Sequence, residues 1–257
     1  MVSAISFTCK KENRDTCLTV SLPDHNLEAL VITDGVGNLE FAGPTSKFIA
    51  NSILQLIKKG KISINFNDIF YELYTHAKAQ GWDFNQSKTT LITLIKFKNE
   101  LITHWLGNGS LFILKPEHLL DSPPAPNNIL IPDAFAGNVL TKFISPQTSF
   151  KPNFMHLKLN SSFCVIAGSD GLFSSESAEL LTDDAGDILL KIPDLLLFIL
   201  SGIKKQILEQ NSLNLDQILL DARKTFIDKI EDDTSIGILI SETFTQEFLE
   251  IINKQKI

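Results

Sequence analysis

Leu27-Glu28-Ala29-Leu30-Val31-Ile32-Thr33-Asp34-Gly35-Val36-Gly37 joins an apolar run to an acidic turn, and the rest of the chain is read outward from it. The run from Leu27 to Thr33 has the length and β-branched content of a buried strand, and Asp34-Gly35 is turn chemistry. The same junction recurs twice: Phe163 to Ala167 precedes Ser169-Asp170-Gly171-Leu172, and Asp232-Asp233-Thr234-Ser235 opens into Ile236 to Ile240. A fourth acidic island, Asn13-Arg14-Asp15, comes just before the strand-like stretch from Cys17 to Leu22. Each carboxylate thus stands where a strand meets a turn, at the rim of a sheet. Carboxylates gathered on a rim repel one another and titrate upward unless cations bind, and oxygen-only ligands select Mg or Mn over Zn.

The chain has 257 residues, 44% of them hydrophobic, and no Gly/Ser/Pro linker divides it, so one domain over residues 1–257 with an ample core is expected. A net charge of −7 argues against nucleic acid as a partner, because that binding needs a basic face. Cys9, Cys17 and Cys164 are odd in number and lack metal-like spacing, which fits reduced small hydrophobes in a reducing compartment. Met1 to Cys9 has neither the basic start nor the apolar core of a secretory signal. The longest apolar run, around Leu195 to Leu200, falls far short of the roughly 20 residues of a membrane span. A cytoplasmic protein is the expectation.

Ala4 to Cys9 and Cys17 to Leu22 read as paired strands and Leu27 to Thr33 as a third. Thr45 to Lys59 carries apolar residues on one helical face. Asn67 to Ala79 repeats the pattern, with Ile69, Phe70, Leu73, Tyr74 and Ala77 as its buried side and Asn67 as its cap. Strand candidates follow at Thr89 to Phe97, Leu101 to Trp105 and Leu111 to Leu114, joined by two hairpin-like turns, Lys98-Asn99-Glu100 and Gly107-Asn108-Gly109. Asp121 to Asn128, with three prolines, reads as a surface loop. Strands resume at Val139 to Ile144, His156 to Leu159 and Phe163 to Ala167. Helices are expected at Ile192 to Glu209, Leu215 to Ile230 and Gln246 to Ile252, around a closing strand at Ile236 to Ile240. Strand groups alternating with helix pairs suit two stacked sheets with helices outside, an α+β arrangement and not a regular βαβ ladder.

The acidic islands, with Thr89-Thr90-Leu91 and Gly107-Asn108-Gly109-Ser110 between them, resemble in order the motifs of the metal-dependent protein phosphatases of the type 2C family. Those motifs are N-E/Q-D, D-G-x-G, a T-T strand, a G-D-S-R-like strand pair, S-D-G and D-D/N-x-T, and the likeness covers nearly the whole chain. The stretch from Asn128 to Pro132 through Leu140-Thr141 resembles a connecting segment of a bacterial branch. The resemblance implies a four-layer α-β-β-α sandwich of two antiparallel sheets flanked by helices. It implies two Mn²⁺ or Mg²⁺ ions held by Asp34, the carbonyl of Gly35, Asp170 and Asp232, with Asp34 bridging, and with Asp15 and Asp233 in supporting places. It also implies hydrolysis of phosphoserine or phosphothreonine in a phosphorylated protein by metal-activated water.

Three departures bear on activity. Arg14 replaces the Glu or Gln of the first motif and cannot ligate a cation, though it could grip phosphate. Lys10 and Lys11 replace a phosphate-gripping arginine and offer charge without a bidentate fork. Asn108 stands where many bacterial members place an aspartate for a third, loosely held ion, and a neutral amide weakens that position; the same residues also suit a plain Asn-Gly hairpin turn. A catalytically silent member that uses the fold for binding or regulation is therefore the first alternative, and a phosphatase for a small phosphorylated molecule the second. Asp183-Asp184-Ala185-Gly186-Asp187 lacks the distal Glu of a calcium loop and reads as a solvated turn. The five histidines are scattered, His104 belonging to a strand, and neither a Walker motif nor G-x-S-x-G occurs. Val36 occupies the place where a haloacid-dehalogenase-type phosphatase needs its second Asp.

Overall fold

The structure, a computed structural model, describes residues 1–8, 12–121, 127–128, 134–135, 139–140, 142–147, 150–159, 161–172, 180–182, 188–190, 193–230 and 232–255. Its elements are β1 (Val2–Phe7), β2 (Thr16–Leu22), β3 (Leu27–Thr33), α1 (Ala42–Lys58), α2 (Phe66–Gln80), β4 (Leu91–Phe97), β5 (Glu100–Leu106), β6 (Ser110–Leu114), β7 (Asn127–Asn128), β8 (Ala134–Phe135), β9 (Val139–Leu140), β10 (Asn153–Lys158), β11 (Cys164–Gly168), β12 (Leu180–Thr182), β13 (Ile188–Leu190), α3 (Asp194–Gln210), α4 (Leu215–Phe226), β14 (Thr234–Ile240) and α5 (Phe244–Gln255).

Alternation along the strands explains why the elements stack as they do. In β3, Leu30 and Ile32 point one way and Leu27, Ala29 and Val31 the other. The first pair meets Val165, Ala167 and Leu239 of β11 and β14 in a core between two sheets. The second set packs on Ile49, Ile53 and Ile57 of α1 and on Ile69 and Leu73 of α2. On the far side, Ile166, Ile236, Ile238 and Ile240 pack on α3, α4 and α5. Both faces of each central strand are buried, which accounts for their nearly continuous apolar sequence. The sheets run β1-β14-β11-β6-β7 and β10-β5-β4-β3-β2, all pairings antiparallel, so the layers are helix, sheet, sheet, helix as expected.

Several local expectations are corrected. β1 and β2 are not paired: β1 lies against β14 and β2 against β3, in different sheets. Gly107-Asn108-Gly109 is not a hairpin, because β5 and β6 also belong to different sheets and these residues carry the chain across. Gly109 suits that crossing, since a Cβ there would press on Ile92 and lie 2.9 Å from the carbonyl oxygen of Gly168. Lys98-Asn99 does turn a hairpin, with Lys98 left-handed at φ 54°. Asn65 and not Asn67 caps α2, its side chain accepting from the Asn67 amide at 3.2 Å. Tyr74 is exposed where burial is expected. Asn127 and Asn128 pair with β6 and are not loop, while Pro123, Pro124 and Pro126 lie outside the described residues. Within Val139 to Ile144, Val139–Leu140 pairs with β8 and Ile144 bridges to Thr89. The turn from Asp183 to Asp187 and the residues Cys9, Lys10 and Lys11 also fall outside.

Candidate metal centre

Strand register gathers the acidic islands at one end of the sandwich. Thr16 pairs with Thr33, which sets Asp15 beside Asp34. Gly168 pairs with Ser110 on one side and Ile236 on the other, which brings Asn108 and the Asp232-Asp233 turn to Asp170. A buried hydroxyl cluster ties the end of β3 to α1: Thr33 Oγ1 and Ser46 Oγ lie 2.8 Å apart, and Ser46 Oγ donates to Thr16 Oγ1 at 3.0 Å. Asp34 then projects from a backbone held by the Thr90 amide and the Thr89 hydroxyl, both donating to its carbonyl at 2.8 Å. Gly35 follows in a place without room for a side chain, since a Cβ would lie 2.9 Å from the carbonyl oxygen of Arg14.

The carboxylates form a chain. Asp15 shares a hydrogen bond with Asp34, Asp34 shares another with Asp170, and Asp232 adds its charge beside Asp170. Ser169 Oγ is the hub of the seam between the sheets, donating to Asp15 Oδ2 at 2.8 Å and accepting from the Ser235 amide at 3.0 Å. Asp15 is only 7% exposed and Asp233 only 4%. Asp233 Oδ2 accepts from the Arg14 amide at 2.9 Å. Asn108 Nδ2 donates to Asp170 Oδ2 at 2.6 Å. The Arg14 guanidinium donates through Nη1 to Gly37 O and Asn38 Oδ1, both at 2.8 Å, and so fastens the turn after Asp34. The tethering by Ser169, Thr33 and Ser46 has no motif of its own in the sequence, because isolated hydroxyls are common at strand ends and only the register makes them meet.

Burial is the largest cause of the shifts. It raises the Asp15 carboxyl to about 7, aided by the charges of Asp233 and Asp170. It holds Asp34 well above the ordinary carboxylate range, with Asp15 and Asp170 pushing the same way, and it raises Asp170, with Asp232 adding to it. Among the described residues no three His, Cys, Asp or Glu side chains surround one point closely enough to enclose an ion. Protons shared along the chain give the acids another way to neutralise their repulsion. Yet Asp15 Oδ1, Asp233 Oδ1 and Asn108 Oδ1 are buried with no hydrogen-bond partner. Buried oxygens without donors next to clustered carboxyls are the donor set of a hard cation, so the residues fit Mn²⁺ or Mg²⁺.

A pH dependence follows for metal-free protein. Carboxyls with raised native pKa values keep protons that the unfolded chain releases, so their stabilisation is complete below the unfolded value near 4 and fades as pH rises through the native one. With chelator present, the melting temperature is expected to fall from about pH 6 to about pH 8, and saturating Mn²⁺ is expected to abolish that fall. A chelated protein that becomes more stable over this interval would contradict the arrangement.

Asn108→Asp gives a second test. It replaces the amide donor to Asp170 with another charge, so the chelated protein is expected to melt lower and Mn²⁺ to raise the melting temperature more than in the parent. Differential scanning with and without Mn²⁺ reads both changes. Equal metal-induced shifts in the two proteins would separate Asn108 from the metal centre.

No protein-family model and no curated protein matches the sequence. Solved structures do. A bacterial serine phosphatase superposes with a TM-score of 0.65 at 15% identity, covering 94% of this chain and 97% of that one. The Mycobacterium tuberculosis serine/threonine phosphatase PstP/Ppp gives 0.64 at 12% identity, with 93% and 97% covered, and its catalytic domain is known in complex with two manganese ions. PppA, a regulatory component of the type VI secretion system in Pseudomonas aeruginosa, gives 0.61 at 14% identity, with 94% and 97% covered. The fold of this chain is that of the PPM-type serine/threonine phosphatases.

Proposed function

We propose that the protein, a single domain over residues 1–257, is a Mn²⁺- or Mg²⁺-dependent phosphatase that hydrolyses phosphoserine or phosphothreonine in a partner protein in the cytoplasm. The observation that supports this reading most is the meeting of Asp15, Asp34, Asp170 and Asp232 at one rim with donorless buried oxygens around them. Asp34, the Gly35 carbonyl, Asp170 and Asp232 would hold two ions, and Asp15 and Asp233 would brace them from behind. Bound metal supplies a water of lowered pKa and neutralises phosphoryl charge. The chain's own residues keep the acids in register through Ser169 and Thr90, and Arg14 keeps the turn after Asp34 closed. Lys10 and Lys11, with Arg14, remain the proposed phosphate contacts. Among the described residues no helix is long and apolar enough to cross a membrane.

The silent, regulatory reading has one specific observation in its favour: Asn108 already occupies Asp170 Oδ2 with an amide hydrogen. Hydrolysis of p-nitrophenyl phosphate and of a phosphothreonine peptide, each with Mn²⁺ and with chelator, separates the alternatives. Metal-dependent turnover of both is expected. Turnover of the small ester alone would favour a small-molecule phosphatase, and no turnover by metal-loaded protein would favour the regulatory one.

A further inference from the structure

A cavity of about 630 Å³ opens between the N-terminal end of α2 and the outer face of the second sheet at β5 and β10. It lies apart from the carboxylates and has no part in the phosphatase reading. Phe66, Phe70, Phe154, Ile102 and His104 line it, and Lys151 stands at its mouth. Phe154 faces His104 across the β10–β5 pairing and is 59% exposed, a large apolar ring open to water beside the cavity. The His104 ring sits between Phe66 at 5.0 Å and Phe154 at 5.2 Å, centroid to centroid.

The hydrogen bonds of His104 define what it presents to that space. Thr93 Oγ1, fully buried, accepts from the His104 backbone amide at 3.2 Å and lies 3.0 Å from His104 Nδ1. If Nδ1 carried a proton, the threonine hydroxyl would accept twice and bury its own hydrogen without an acceptor, which costs free energy. Nδ1 therefore accepts, and the ring proton is on Nε2. No described residue bonds to Nε2, and the residue as a whole is only 7% exposed, so an N–H donor without a protein partner borders an aromatic cavity. Burial keeps the ring neutral by lowering its pKa to about 4. Lys151 forms no ion pair among the described residues and adds a positive charge at the mouth.

We propose that this cavity binds a planar aromatic anion, its ring against Phe154 and Phe66 and its carboxylate or like group on the Nε2–H of His104 with Lys151 nearby. The volume is that of a pocket for one or two rings, and mostly apolar walls with a few convergent polar groups are what such ligands require. Three aromatic walls favour a flat ring over an aliphatic chain, and one neutral donor with one cation favours an acceptor carrying negative charge.

Indole-3-acetate is a suitable probe, compared with indole-3-acetamide and cyclohexylacetate by calorimetric titration of the metal-free full chain. Binding on the order of 0.1–1 mM is expected for the first and at least tenfold weaker binding for the other two. Phe154→Ala and His104→Phe are each expected to weaken it tenfold or more, and Lys151→Gln severalfold. Phe154 is largely exposed, so its variant tests the site even if His104→Phe fails to fold. In histidine-selective ¹⁵N spectra at neutral pH, His104 is expected as the Nε2–H tautomer, its signal moving on titration. No binding up to about 10 mM, equal binding of all three probes, or undiminished binding by Phe154→Ala would each overturn the proposal.

Discussion

Asp34→Ala is expected to lower Mn²⁺-dependent hydrolysis by roughly a thousand-fold or more, since metal-borne stabilisation of the reacting phosphoryl group is worth several kcal/mol and each 1.36 kcal/mol is a factor of ten. Asp34 is the middle of the carboxyl chain, bonded to Asp15 on one side and Asp170 on the other, so its loss separates what remains into two parts. The variant is expected to fold. Asp34 stands beyond the end of β3, and the hydroxyl cluster of Thr33, Ser46 and Thr16 that holds that end does not involve its carboxylate. Its melting temperature should accordingly cease to respond to Mn²⁺ while remaining cooperative. Asp232→Ala is expected to resemble it, whereas Asp233→Ala should cost less turnover, because Asp233 faces the Arg14 amide and acts on the site indirectly. Equal losses at Asp232 and Asp233 would show that the direct ligand is misassigned.

Gly171→Ala is expected to be the most destabilising small substitution at this end of the molecule, by on the order of 3 kcal/mol. An added Cβ would collide with the carbonyl oxygen of Asp233 and crowd the Thr234 hydroxyl, and a backbone atom cannot swing aside as a long side chain can. Relief requires the turn after β11 to part from the start of β14, which opens the bond between the Ser169 amide and Ser235 O at 3.0 Å. Asp170 would move with the turn. Chemical denaturation should show the loss of stability, and calorimetry should show weakened Mn²⁺ binding. Gly237→Ala is a useful comparison, because its Cβ would meet the Leu30 side chain in the core between the sheets, far from the acids. It should reduce stability with metal affinity retained.

The rim position of the acids is legible in the sequence because an acid where a strand meets a turn is a local pattern, twice as a strand ending in Asp-Gly and twice as an acidic island just before a strand, and four such junctions leave few arrangements that do not bring them together. Layering is legible for the same reason, since runs apolar on both faces, such as Leu27 to Thr33, need cover on both sides. Pairing over long distances is not. β1 and β2 are neighbours in sequence and so read as a hairpin, but Phe7 pairs with Thr234, a choice that depends on surfaces contributed by the other end of the chain. Gly107-Asn108-Gly109 has the chemistry of a tight turn and is used to change sheets, because the close approach of Gly109 to Ile92 and Gly168 is a tertiary fact. The His104 cavity is invisible for a further reason: its walls come from α2, β5, β10 and the residues just before β10, none of which carries a motif.

The division of the acids between the sheets has a consequence for synthesis of the chain. Asp15 and Asp34 stand on the sheet of β2 and β3, Asp170 and Asp232 on that of β11 and β14, and the bond from Ser169 to Asp15 spans 154 residues. Since β14 lies between β1 and β11, a nascent chain still lacking it has no partner for β1 and no completed first sheet. The acids of the two sheets consequently meet only after β14 has left the ribosome, and until then Asp15 and Asp34 carry their charges apart from Asp170 and Asp232.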